Sequence, residues 1–282
     1  MMKRLITILV VLLPLVASAQ GKITTKKYRI ADFRDKVTKV VLTGNEVMDS
    51  ALKQEIITRW SASPYEFATA AEFEALKSSD AFYFLLITNS FDKDENNRGI
   101  EFLSLVKGGP EAAKGLEAMT DVATIPLRPD GISSGREFVY LPALIDILQA
   151  FASAAMDTDF KGYAGLGVFN VNFRRSGATK RIYISEDDLS EKVDQQILEK
   201  YLDEDMLICD EDDADAVFMD GELNTLVSYV VSPESPAPGK FFYVMLISSD
   251  THELYYYKKY KISRKAAPGF LESDFKILSS IR

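Results

Sequence analysis

The sequence predicts an α+β protein made of two duplicated β-α-β-(β-hairpin) lobes, with mainly antiparallel sheets joined by a helical connector. Three observations predict it. Residues 39–68, moved by 141 positions, fall without a gap on residues 180–209. Apolar positions then coincide: Val41 with Ile182, Met48 with Leu189, Leu52 with Val193, Ile56 with Ile197 and Trp60 with Tyr201. Tyr65 and Phe67 carry the match on to Met206 and Ile208, so what repeats is a burial pattern more than a set of letters. Second, both copies place apolar residues four apart, the spacing of one helical stripe. Third, each copy runs on into long apolar stretches, Ala81 to Thr88 and Phe241 to Ser248, which read as buried strands.

Taken in order, Lys3 and Arg4 precede an uncharged apolar run, Leu5 to Val16, and Ala17-Ser18-Ala19 offers small residues for cleavage before Gln20. That is the pattern of a secretory signal peptide over residues 1–19. The run is shorter than the roughly 20 residues that cross a bilayer. No cysteine stands at the cleavage point for a lipid anchor, and no later segment reads as a membrane span. The expectation is a periplasmic or secreted protein with no transmembrane segment after cleavage.

Residues 20–108 form the first copy. The β-branched stretch Lys36 to Thr43 is a strand, and Asn45 caps a helix carrying Met48, Leu52, Ile56 and Trp60. Tyr65 to Ala68 is a short strand and Glu72 to Lys77 a helical turn. Ala81 to Thr88 is the central strand, with Ile100 to Val106 its hairpin partner. Residues 109–176 form the connector. Gly108-Gly109-Pro110 opens a short helix with Pro110 at its first position, and a second helix runs from about Pro142 to Met156 with Leu144, Ile145, Leu148 and Phe151 on its buried face.

Residues 177–282 form the second copy. Arg181 to Ile184 is the matching strand, Ser185 and Asp188 resemble a capping box, and Leu189, Val193, Ile197 and Tyr201 repeat the helical stripe. Met206 to Cys209 is the short strand. Ala216 to Met219 aligns with Phe82 to Leu85 as the start of a central strand, and strands follow at Leu223 to Val231, Phe241 to Ser248 and Leu254 to Ile262.

Composition narrows the function classes. The formal charge is −9, and loss of Lys3 and Arg4 makes it −11. Such a balance disfavours nucleic acid, whose phosphates call for clustered Lys and Arg. The single cysteine, Cys209, has no partner for an internal disulfide. One histidine, His252, cannot build the usual nitrogen- and sulfur-ligated metal site, and no cofactor is expected. Gly131-Ile132-Ser133-Ser134-Gly135 has the letters of a nucleophile elbow, but prolines precede it and His252 lies in a distant predicted turn. The acids from Asp203 to Asp220 lack the spacing of a calcium loop; Asp92, Asp94 and Asn96 match one for three positions, but Asn97 stands where its glycine should be and Leu103 where its bidentate acid should be, so both stretches read as solvated loops. Gly108-Gly109 before a helix suggests an anion loop, but Glu111 follows in the first turn.

The acidic stretch Asp212 to Val217, between a short strand and a long strand pair, resembles the N-terminal domain of the TolB type and the related CsgG and LpoB-like domains. Asp213 to Gly221 stands where those domains open a central strand. The mature chain also resembles a family of exported Gram-negative envelope proteins through Ser63 to Phe67, Val106 to Gly115 and Ser134 to Phe138. These resemblances imply a scaffold or adaptor of the cell envelope and supply no catalytic residues.

The expected function is therefore an exported, non-enzymatic binding or scaffold protein, its partner an envelope protein or a cell-wall glycan. A hydrolase using paired carboxylates on cell-wall or glycan substrates is the alternative. Alternation along the last strand aims Tyr255 and Tyr257 outward beside Lys259, which makes these three the candidate interaction surface.

Overall fold

A computed structural model describes residues 30–89 and 98–281. The expected signal peptide and the Asp92–Asn96 loop lie outside the described residues. The fold is mixed α+β, with two five-stranded sheets. The first lobe runs β1 (Val37–Val41), α1 (Glu46–Arg59), β2 (Tyr65–Ala68), α2 (Ala70–Leu76), β3 (Phe82–Thr88), β4 (Ile100–Lys107), β5 (Thr120–Pro129) and α3 (Arg136–Asp157). Two short helices, α4 (Asp159–Ala164) and α5 (Asn170–Ser176), lead on. The second lobe runs β6 (Arg181–Ser185), α6 (Gln195–Tyr201), β7 (Met206–Cys209), α7 (Glu211–Met219), β8 (Thr225–Val231), β9 (Phe241–Ser248), β10 (Leu254–Lys261) and α8 (Glu272–Ser279).

The two sheets have the same strand order, β2-β1-β3-β4-β5 and β7-β6-β8-β9-β10. In each, the first three strands of the lobe are parallel, since helices cross over between them, and the last two pair antiparallel. Pairing fixes the equivalences. Thr38 faces Tyr65 and Tyr83, and Ile182 faces Met206 and Leu226; Tyr83 then faces Lys107, as Leu226 faces Ser248. Thr38 is thus the counterpart of Ile182, three positions before the Val41 that the gapless match put there. β1 and β6 agree in burial on this register, with their second, fourth and fifth residues buried.

Several predicted elements need correction. The helix of the second copy begins only at Gln195, capped by Asp194. Ser185 and Asp188 belong to a tight 3-10 turn instead of a capping box, and Leu189 bridges to Phe270 in extended backbone. Trp60 and Leu202, not Tyr201, end the two helices with N–H groups bonded to Ile56 and Leu198. Glu211–Met219 is a helix, not a strand start: Asp210 caps it by accepting from the Asp213 N–H, and Ala214 and Phe218, four apart, face the core. It is the counterpart of α2, which Thr69 caps in the same way. The first sheet also extends past residue 108, since Thr120–Pro129 is its edge strand and the connector begins only after it. α3 then packs on α1 as α8 packs on α6, so it too belongs to the repeated unit.

Alternation along the second sheet explains its apolar runs. Val227, Tyr229, Val231, Tyr243, Met245 and Ile247 join α3 and the first sheet in one continuous core, while Leu226, Phe242, Val244 and Leu246 face a second core under α5 and α8. Burial on both faces removes the need for polar residues at alternate positions. α3 lies in the shared core. It begins at Arg136, six residues before Pro142, and its 22 residues hold an 18-residue window of mean hydropathy 1.6, which meets the length and composition of a membrane span, where the sequence leads one to expect none after the expected signal peptide. Here most of that apolar surface is buried between the lobes. Polar groups pin the periphery. Asp32 accepts from Lys107 at 2.8 Å and from Tyr83 at 2.5 Å and pairs with Lys36 at 2.7 Å. On the far side Asp274 of α8 accepts from the Tyr256 hydroxyl at 2.6 Å, from the Tyr260 hydroxyl and from the Leu271 N–H at 2.8 Å.

Candidate functional site between the lobes

The densest polar grouping lies where α3 meets the second lobe. Gly135, in left-handed backbone (φ 99°), turns the chain so that α3 starts with Arg136 under the second sheet. Three carboxylates converge on its guanidinium. Asp188, after β6, takes Nη1 at 3.0 Å; Asp215 of α7 takes Nε at 3.1 Å; and Glu211 of α7 takes Nη1 at 3.3 Å. The Ser228 carbonyl accepts from Nη2 at 3.3 Å, and the Ser228 hydroxyl donates to Asp188 at 2.6 Å. Below the guanidinium the rings of Tyr140 and Tyr229 stack at 4.2 Å, with its carbon 5.4 and 5.5 Å from their centroids. The Tyr140 hydroxyl reaches Asp215 at 3.2 Å, and that of Tyr229 donates across the lobes to the Leu127 carbonyl.

Burial is the largest influence on these groups, and the charges decide its outcome. Burial pushes Glu211 and Asp215 above the usual carboxylate range, assisted by neighbouring acids and opposed by Arg136. Burial disfavours the charged Arg136, but Asp188, Tyr140 and Asp215 together hold it firmly protonated. A second cluster adjoins. Arg128 of β5 joins Glu101 at 2.6 Å and Glu137 at 2.8 Å. Burial acts to raise Glu137, yet Ser133 and Arg128 hold it below the ordinary range. A cavity of about 180 Å³ opens beside both clusters, lined by Arg128, Glu137, Asp188, Glu211, Tyr229 and Gly269 among others.

Further along α3, Asp146 meets the β9–β10 turn. His252 Nδ1 lies 2.8 Å from Asp146 Oδ2 and 3.3 Å from Arg59 Nη1, and its ring stacks on Phe218 at 5.7 Å. Sequence reading put His252 in a surface turn. The turn is there, and docking of the lobes brings Asp146 to it. Ser133 belongs to the other end of α3, where it bonds Glu137. Nine residues of helix separate Glu137 from Asp146, about 13 Å, so the lone histidine does not meet the serine of the elbow-like motif. That motif does run from strand to helix, unlike the surroundings first read for it, but Ser133 is not in the left-handed backbone that only Asn224 and His252 adopt among the described non-glycine residues.

The expected interaction surface is not formed. A bulge between Leu254 and Tyr256 breaks the alternation on which it rested. Tyr255 is buried in the second core, and Tyr257 packs 6.1 Å from Tyr243 while Asn170 brackets its backbone, donating to the carbonyl at 3.1 Å and accepting from the N–H at 2.7 Å. Lys259 is exposed, its ammonium 4.0 Å from the centre of the Phe241 ring. Cys209 is half-buried on edge strand β7. Burial and the acids Asp213, Asp210, Glu186 and Asp188 push its thiol up to about 11. The Gly108 and Gly109 N–H groups bond the Phe82 and Lys77 carbonyls, so that turn offers no anion cradle. Among the described residues no group of three or more His, Cys, Asp or Glu side chains is arranged to hold a metal ion.

Sequence reasoning missed Arg136, Asp188 and Asp215. The available signal was an Arg-Glu pair opening an otherwise apolar helix, and acids placed where a buried face was due. Comparison with family models, with curated proteins and with solved structures returns no match.

Proposed function

We propose that the protein is an exported, non-enzymatic binding or scaffold protein of the bacterial cell envelope, engaging an envelope protein or a cell-wall glycan. The N-terminal sequence pattern supports export. The observation that carries the rest is that the Arg136 guanidinium stands among Asp188, Glu211 and Asp215 and bonds all three. A hydrolytic pair of carboxyl groups must leave the space between them to a sugar and a water. An arginine in that space makes the cluster a fastening of one lobe to the other, and two fastened lobes make a rigid body suited to presenting a surface.

One observation favours the hydrolase instead. Asp188 and Glu211 oxygens lie 3.0 and 3.3 Å from one nitrogen, so they are close neighbours, as the two carboxyl groups of a glycosidase are. Glu211 is also partly open to solvent, with a raised carboxyl as a general acid requires. A single variant separates the readings. Under the binding reading, Glu211→Gln leaves co-sedimentation with cell-wall or envelope fractions unchanged, and neither form releases saccharide. Release by the wild type that the variant loses would establish the hydrolase.

A further inference from the structure

A trough of about 740 Å³ lies on the other side of α3, at the end of α1, and is lined by Arg34, Arg59, Ser61, Asp146, Gln149 and Ser153 among others. Its volume suits a molecule the size of a substituted monosaccharide or disaccharide. We propose that this trough binds a small oxyanion-bearing ligand, a carboxylate or a phosphate on a hydroxylated body, with Arg34 as its principal contact. The inference goes beyond the reading above and does not depend on it.

The floor of the trough is built and rigid. Gln149 accepts from the Ser61 N–H at 2.7 Å and donates to the Arg59 carbonyl at 3.2 Å, which leaves its amide no role toward a ligand. Arg59 is fixed by Glu55 at 2.7 Å and Asp146 at 3.1 Å, through Nε and Nη1, so Nη2 is the donor it has left. Those two carboxylates carry one negative charge more than Arg59 offsets, and Arg34 brings the sum to zero, so acids do not dominate the trough.

Arg34 differs from every other lining group. It is exposed and has no hydrogen-bond or ion-pair partner among the described residues. Its position is nevertheless set. The neighbouring Phe33 is fully buried, edge-on to Tyr83 at 5.0 Å and to Trp60 at 6.4 Å, which anchors the short helix that carries Arg34. The Ser61 and Ser153 hydroxyls add donors. A guanidinium fork matches the paired oxygens of a carboxylate or phosphate. Among the described residues no aromatic side chain lines the trough, so they offer a neutral sugar ring no face to stack on. In a chain of net charge −9, a free cation in a large concavity is out of keeping with the surface at large.

Calorimetric titration of the purified protein with D-glucuronate, a hexose phosphate and D-glucose tests this. At least one of the two anions should bind saturably and tighter than about 1 mM, with glucose showing no binding; the tighter anion identifies the group recognised. Arg34→Ala should weaken that binding about tenfold or more, the size of one charge-assisted contact, and Arg34→Lys should restore part of it. Since Arg34 is exposed, both variants are expected to keep the wild-type melting temperature. Saturable binding of glucose as tight as that of the anions, no binding of either anion, or binding unchanged in Arg34→Ala would overturn the proposal. None of these outcomes bears on the Glu211 experiment.

Discussion

Replacing Arg136 with Met probes the fastening between lobes. Methionine keeps much of the packing on Tyr140 and Tyr229 but leaves Asp188 and Asp215, both nearly inaccessible, without their counter-charge. Removing one member of a buried ion pair costs about 3–5 kcal/mol. Two features temper the loss: Asp188 keeps its bond from the Ser228 hydroxyl, and Asp215 and Glu211 can take up protons. A loss of about 4 kcal/mol is therefore expected at neutral pH. With a urea dependence of about 3 kcal/mol per molar, the unfolding midpoint should fall by a little more than about 1 M. The pH dependence is the sharper check. Glu211 and Asp215 have folded-state values above their ordinary ones, so their contribution is fully present at acid pH and lost as pH rises through the folded values. Arg136 opposes that rise, and its removal lifts both groups further. The deficit of the variant should therefore be largest near pH 7 and shrink toward about pH 4. A deficit below about 1 kcal/mol, or one that does not vary with pH, would refute the assignment of this cluster as a stabilising clamp.

Four further outcomes are expected. Asp274→Ala strands the Tyr256 and Tyr260 hydroxyls and the Leu271 N–H, and urea unfolding should register a loss of about 3 kcal/mol. For Asp32, burial alone would raise the carboxyl, but Lys107, Lys36 and Tyr83 hold it far below the usual range; its stabilisation is present above the ordinary aspartate value of about 3.9 and lost as pH falls toward the folded one, so Asp32→Asn should flatten the acid limb of a stability profile. His252 occupies left-handed backbone (φ 57°), so His252→Gly should melt higher than His252→Ala, although both lose the Asp146 contact; the reverse order would contradict that geometry. N-terminal sequencing of the protein recovered from an envelope or secreted fraction should begin at Gln20, and recovery of Met1 there would defeat the export argument.

What the sequence made legible was local. Tyr65–Ala68 and Met206–Cys209 are strands at the bounds read from their letters, and Asn45 caps α1 through the Val47 and Met48 N–H groups. In each case a burial period or a cap lies within a few residues. What was hidden was of two kinds. β5 carries Pro126 and Pro129, which read as loop residues and are tolerated because this strand sits at the sheet edge. α7 shows only Ala214 and Phe218 as apolar markers fully buried, amid acids that read as a turn. The site was hidden for a different reason. Arg136 meets partners 52, 79 and 92 residues away, a convergence set by lobe docking with no trace in local spacing. Likewise, one bulge near Tyr255 was enough to send Tyr255 into the second core and Tyr257 against the opposite face of the sheet.

The shared core carries a consequence for how such a chain came to be and how it unfolds. Val227, Tyr229, Met245 and Ile247 of one lobe complete the apolar layer of the other around Leu141, Leu144 and Leu148. Neither half, expressed alone, would have enough covered surface to stand, and the two should melt in one cooperative step despite their common plan. Any ancestor with a single module must have closed that same face in another way, most simply against a second copy of itself.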